Sequence, residues 1–145
     1  MQKNPDIDVL GTAINLIIDG KIIKSFYYPT NHNDILKLMQ KISPLAHPTV
    51  MYKKDIILSV GGYNENLKRA QDYDLWIRLK GKATFANLDE VLLDYTYKVK
   101  QPYKTIFHNF KTRLKHKPYS IYPWIGLFRN IAVNLNLYKP KSGGK

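Results

Sequence analysis

The stretch from Ile7 to Tyr28, IDVLGTAINLIIDGKIIKSFYY, decides how the rest of the chain must be arranged. Ile7 to Asp19 is an apolar run rich in β-branched residues, which suits a buried strand. Asp19-Gly20 closes it, and a second strand-like run, Lys21 to Tyr28, begins at once. Two such runs joined by Asp-Gly predict a tight hairpin. Pro29 ends the second strand.

Outward from the hairpin, NHNDILKLMQKI (Asn31 to Ile42) places Ile35, Leu38, Met39 and Ile42 at helical spacing. Asn31 or Asn33 is the expected N-cap, and Ser43-Pro44 the stop. His47-Pro48 signals a loop and Thr49 to Tyr52 a short strand. Asp55 to Val60 reads as a short helix ended by Gly61-Gly62, and Tyr63 to Arg69 as a polar loop. AQDYDLWIRLKGK (Ala70 to Lys82) reads as a helix stopped at Gly81, with Tyr73, Trp76, Ile77 and Leu79 broadly on one face. ATFANLDEVLLDYTY (Ala83 to Tyr97) reads as strand, short turn, strand. Alternating strands and helices predict an α/β unit over residues 1–97.

The 145 residues suffice for one domain with a real core. There is no cysteine, which excludes disulfides, thiolate metal sites and thiol nucleophiles and suits a reducing compartment. No apolar run reaches the ~18 residues of an ordinary membrane span. MQKNPDIDVLG, at the N-terminus, lacks the apolar core of a signal peptide. The expectation is a cytoplasmic protein, peripheral at the inner face of a membrane. The net charge of +12 is unevenly placed, because residues 1–94 hold 12 Lys/Arg and all 11 Asp/Glu, while residues 95–145 hold 11 Lys/Arg and no acid. The segment 98–145 also carries Tyr103, Phe107, Phe110, Tyr119, Tyr122, Trp124, Phe128 and Tyr138, and Ile121 to Tyr138 is amphipathic. A basic, aromatic-rich helical tail favours an anionic partner, either a phospholipid surface or RNA. The terminal KPKSGGK is expected to be disordered.

Asp72 and Asp74 open the third helix. Acids in a first turn are favoured by the helix dipole, so a capping role is one reading. On a helix they point about 200° apart, so they do not easily share a metal. One can face a cleft while the other pairs, with Arg78 four residues after Asp74 as the natural partner. A cleft-facing carboxylate beside Gly61-Gly62 suits a general base. Asp6 and Asp8 also have Asp-x-Asp form, but they lead into a strand and read better as solvated loop acids. His47 is either structural or a donor to a phosphate or acceptor oxygen. His32, His108 and His116 show no metal-ligand spacing. Glycine-rich phosphate loops and the Gly-x-Ser-x-Gly pattern are absent.

HPTVMYKKDIILSVGGYNENLKRAQDYDLWIRL (His47 to Leu79), followed by NLDEVLLDY (Asn87 to Tyr95), resembles the C-terminal half of family 2 glycosyltransferases, and NPDIDVLGTAI (Asn4 to Ile14) resembles the segment after that family's metal-binding loop. The resemblance covers about residues 4–97. It implies part of a GT-A fold, a Rossmann-like mixed sheet with flanking helices, and sugar transfer from a nucleotide-diphosphate donor to a saccharide or lipid-linked acceptor in cell-surface polysaccharide or lipopolysaccharide assembly. It makes Asp72 the base, in the form Gln71-Asp72 where the family usually has Glu-Asp. It marks His47, Gln71, Gly62 and Tyr63 as substrate-binding positions. The family's Mg²⁺ or Mn²⁺ is expected for the complete enzyme, with ligands outside this chain, because the nucleotide-binding strands and metal loop precede the equivalent of Asn4. Where many relatives have Arg-x-His after LLDY, this chain has Tyr95-Thr96-Tyr97-Lys98. The expectation is therefore an acceptor-side piece, inactive alone, of marginal stability and complemented by an N-terminal half. The competing expectations are a non-catalytic membrane- or RNA-binding module and a decayed remnant.

Overall fold

The computed structural model describes residues 1–96, 103–116 and 121–135. Strand β1 (Val9–Ile18) is the centre of a four-stranded mixed sheet. Strand β2 (Lys21–Phe26) pairs antiparallel with its second half, and the two-residue strand β3 (Met51–Tyr52) pairs antiparallel with Val9 and Leu10. On the other side β4 (Phe85–Thr96) runs parallel to β1 along almost its whole length. Helices α1 (His32–Met39), α2 (Lys54–Leu58) and α3 (Gln71–Arg78) fill the connection from β2 to β4. Helices α4 (Tyr103–His116) and α5 (Tyr122–Asn134) follow the sheet.

Local chemistry explains most of these elements. Asp19 and Gly20 both have positive φ, at 49° and 74°, as a twist-matched two-residue hairpin requires, and Ile18 pairs directly with Lys21. Asn31 caps α1, its side chain accepting the Asp34 N–H at 3.0 Å. Helix α2 ends as Gly61 N–H donates to Leu58 and Gly62 N–H to Ile57, with both glycines left-handed.

Three expectations are corrected. The strand, short turn, strand expected over Ala83 to Tyr97 is instead one continuous strand, β4. Thr12 faces Leu88, Ala13 faces Val91 and Ile14 faces Leu93, so the intervening residues are bulged out of the ladder. A continuous partner strand lets Asp89 and Glu90 reach solvent without breaking the pairing. Thr49 is not in a strand but ends a 3₁₀ turn over His47–Thr49, since Pro48 suits a first helical position and Thr49 Oγ1 donates to Ala46 O at 2.8 Å. The second helix is shorter than its pattern, stopping at Leu58 as the glycine cap begins. Tyr97, Lys98, Tyr119, Tyr138 and KPKSGGK lie outside the described residues.

The core lies on one face of the sheet. Val9 and Phe85 pack against Ile35 and Met39 of α1, Ile57 of α2, and Leu75, Trp76 and Leu79 at α3. At 25 cal/mol per Å², each such side chain contributes about 1.5–3 kcal/mol. The opposite face is open among the described residues. Leu10, Thr12, Pro48, Thr49, Met51, Leu88, Leu92 and Leu93 line a shallow apolar hollow of about 260 Å³ there. Met51 is 62% and Leu92 61% exposed, so this face has no cover of the kind that closes the first.

Candidate active site

Helix α3 sets the two carboxylates apart, as their spacing requires. Asp74 is buried and accepts from Arg78 Nε at 2.8 Å. The same guanidinium donates to Val60 O at 2.5 Å and to Gly62 O at 2.7 Å. Asp74 therefore anchors the glycine loop to α3 through Arg78. Asp72 is half-buried and makes no hydrogen bond or salt bridge among the described residues. The residue before this helix turn, Ala70, is left-handed at φ 56°. That conformation costs an alanine about 1–2 kcal/mol, and it swings the polar loop away so that α3 can begin at Gln71.

A ring cluster adjoins Asp72. Trp76, one turn along on the same side of α3, meets the His47 imidazole edge-on at 6.3 Å between centroids. His47 Nε2 lies 3.0 Å from Tyr63 Oη, and their rings are 5.8 Å apart. Burial pushes the Tyr63 phenol up to about 12, with the neighbouring Tyr52 hydroxyl and the Asp72 carboxylate adding to the effect. Tyr63 is thus a neutral hydroxyl at any physiological pH. It lies within the field of Asp72 and in direct contact with His47.

The structure groups Asp72, His47 and Tyr63. It gives Gln71 and Gly62 a different setting: Gln71 Nε2 donates to Leu67 O, holding the loop before α3, and Gly62 supplies a carbonyl to Arg78. Two members of the cluster, Tyr52 and Trp76, read in sequence only as strand and core residues. A third neighbour, Arg113 of α4, has its guanidinium carbon 6.0 Å from the centre of the Tyr73 ring. Nothing in the base-rich tail sequence singles it out.

Asp8 and His32 are architectural. Asp8 Oδ2 accepts the Thr84 N–H at 2.8 Å, and Oδ1 accepts from Lys53 Nζ at 2.9 Å. Partial burial works to raise the Asp8 carboxyl, but the Thr84 N–H and the Lys53 ammonium outweigh it and hold the group below the usual range. His32 stacks on Phe85 and its Nδ1 accepts the Phe85 N–H at 3.1 Å. Among the described residues no group of three or more Asp, Glu, His or Cys side chains could hold a metal ion.

No protein-family model matches the chain. Curated relatives do. It is 43% identical over 94 residues to the O-antigen biosynthesis glycosyltransferase WbnJ of Escherichia coli, covering 62% of this chain and 36% of that protein. It is 36% identical over 103 residues to the E. coli UDP-Gal:alpha-D-GlcNAc-diphosphoundecaprenol beta-1,3-galactosyltransferase, covering 67% of this chain and 36% of that enzyme. An uncharacterized glycosyltransferase of Methanocaldococcus jannaschii is 31% identical over 150 residues, covering 93% of this chain and 51% of its own length. The chain thus spans between about a third and a half of these relatives, all of which are named glycosyltransferases.

Proposed function

We propose that this chain is the acceptor-side portion of a family 2-like, GT-A-type glycosyltransferase, with Asp72 as general base. The observation that carries the reading is the division of labour on α3. Asp74 is consumed by Arg78, whereas the Asp72 side chain is half-buried, makes no hydrogen bond among the described residues and lies next to the Tyr63–His47 pair. The similarity to named glycosyltransferases supplies the reaction class.

In this reading a nucleotide-diphosphate sugar meets a saccharide or lipid-linked acceptor hydroxyl at Asp72. The carboxylate accepts the hydroxyl proton as the oxygen bonds to the sugar carbon and the nucleoside diphosphate leaves. A positioned base contributes about 10²–10⁴-fold. His47 and Tyr63 orient polar groups of the substrate, and the buried Trp76 backs the His47 ring. The expected Mg²⁺ or Mn²⁺ would be held by groups other than those described here, so no step on this chain is assigned to it. Gln71 and Gly62 would act indirectly, by setting the loop before α3.

The α4–α5 tail suits a membrane surface. Tyr103, Phe107, Trp124, Ile125 and Phe128 are exposed, as are Lys104, Lys111, Lys115 and Arg129. No helix among the described residues is long and apolar enough to cross a bilayer. Aromatic and basic groups together favour anionic lipid, at about 1 kcal/mol per basic residue near the surface. This would bring the chain to the cytoplasmic face, where a lipid-linked acceptor is reached.

The test supplies the chain, alone and mixed with the portion of the E. coli beta-1,3-galactosyltransferase that it does not span, with UDP-galactose, Mn²⁺ and a GlcNAc-diphospholipid. Transfer is expected only from the mixture and is expected to fall about 10²–10⁴-fold with Asp72→Asn. Unchanged turnover in that variant removes Asp72 as base, and robust turnover by the chain alone removes the need for a complementing half.

A further inference from the structure

The α4–α5 pair brings Arg113 next to Tyr73, the residue after the candidate base, with Arg129 in turn near Arg113, and catalysis as proposed uses neither. The Arg113 guanidinium lies over the Tyr73 ring, one residue along α3 from Asp72. Its Nη1 is 3.0 Å from where a Cβ on Gly126 would stand, so the glycine leaves the guanidinium room against α5. Arg129 is three residues further along α5, on the same side of that helix.

The electrostatics of this pair are unfavourable as they stand. Burial lowers the Arg113 guanidinium below its usual range; Arg129 lowers it further, while Tyr73 and Asp72 act in the opposite direction. Arg113 contacts the Tyr73 ring but makes no hydrogen bond or salt bridge among the described residues. A half-buried guanidinium carries five N–H donors, and desolvating them without acceptors is costly. The whole stretch from residue 95 onward holds no acid that could neutralise either cation. Two mutually repelling guanidiniums, one of them without an acceptor among the described residues, match the oxygens of a multiply charged anion, which arginine engages in bidentate fashion.

We propose that Arg113 and Arg129, together at Gly126, form a diphosphate-binding site beside Asp72. The choice of diphosphate rests on the glycosyltransferase reading, in which such a group occurs in the leaving nucleoside diphosphate and in a lipid-diphosphate acceptor. The site places that group on the tail helices and the reacting hydroxyl on α3. It makes the basic tail part of substrate recognition as well as of surface attachment.

Calorimetric titration of the whole chain with inorganic pyrophosphate, without metal, tests the site. Saturable binding is expected, weakened about tenfold or more by Arg113→Gln and by Arg129→Gln, as loss of a charge-assisted hydrogen-bonded contact implies. Lys111→Gln and Lys115→Gln remove the same charge from exposed positions of α4 and should change affinity less than about twofold. Arg129 is exposed, so its variant keeps the test valid even if Arg113→Gln unfolds the tail. Absence of saturable binding, or equal weakening by the lysine variants, overturns the site. Repeating the titration with UDP and with farnesyl diphosphate distinguishes the sources, the tighter arginine-dependent ligand marking donor or acceptor side. No turnover is read, so a failure here is distinct from a failure of the transferase reading.

Discussion

Two carboxylates two positions apart can carry opposite duties because helix geometry points them apart. The Asp74–Arg78 pair is mostly removed from water and also holds two loop carbonyls, so its loss strands buried charge. Asp74→Asn is expected to cost about 2–3 kcal/mol, read as a lower urea midpoint, whereas Asp72→Asn should leave that midpoint unchanged. Asp8 makes a pH-dependent contribution. Its folded pKa is depressed, so the stability it adds is present above the unfolded value of about 4 and is lost as pH falls through the lower folded value. Asp8→Asn should therefore flatten the acid limb of a stability-against-pH curve below about pH 4, measured by chemical denaturation at each pH.

At the scale of elements, the close approach of β1 to β4 depends on one missing side chain. Gly11 faces Asn87 across the parallel ladder, and a Cβ there would run into Asn87 Oδ1 and press on Leu45. Asn87 cannot easily give way, since its Nδ2 donates to Pro29 O at 2.8 Å and ties β4 to the start of α1. Gly11→Ala is expected to destabilise by about 1–3 kcal/mol, seen as a lowered melting temperature, and Asn87→Ala in the same chain should restore part of it. The bulge after Leu88 is the second device of this strand. A further shift leaves Leu92 out of register between Val91 and Leu93, and adjacent Leu92 and Leu93 both line the open apolar hollow.

For the whole molecule, charge and apolar surface are segregated. The sheet and its helices are nearly neutral, and the excess positive charge resides in the tail with the exposed aromatics. Co-sedimentation with phosphatidylcholine vesicles is expected to be weak and to rise steeply when anionic phosphatidylglycerol is included, falling again with salt. Trp124→Ala and Phe128→Ala should reduce the bound fraction in both lipids. Binding to RNA with no vesicle preference would instead favour the non-catalytic alternative. The open face of the sheet should also make the chain bind a hydrophobic dye while native, and adding the portion of a relative that this chain does not span should abolish that signal if that portion covers the face.

Sequence by itself determined the elements whose causes are local. The Asp19-Gly20 hairpin, the Asn31 cap, the glycine stop after α2 and the Asp74–Arg78 spacing all act over five residues or fewer, so they are legible in a single stretch. What only tertiary structure decided depends on distant partners. The continuity of β4 through Asp89-Glu90 comes from pairing with β1, some eighty residues earlier. The contact of His47 with Tyr63 and Trp76, and the arrival of Arg113 beside Tyr73, require the chain to fold back on itself. Local propensity carries no record of such contacts, because their free energy exists only once burial has brought the partners together.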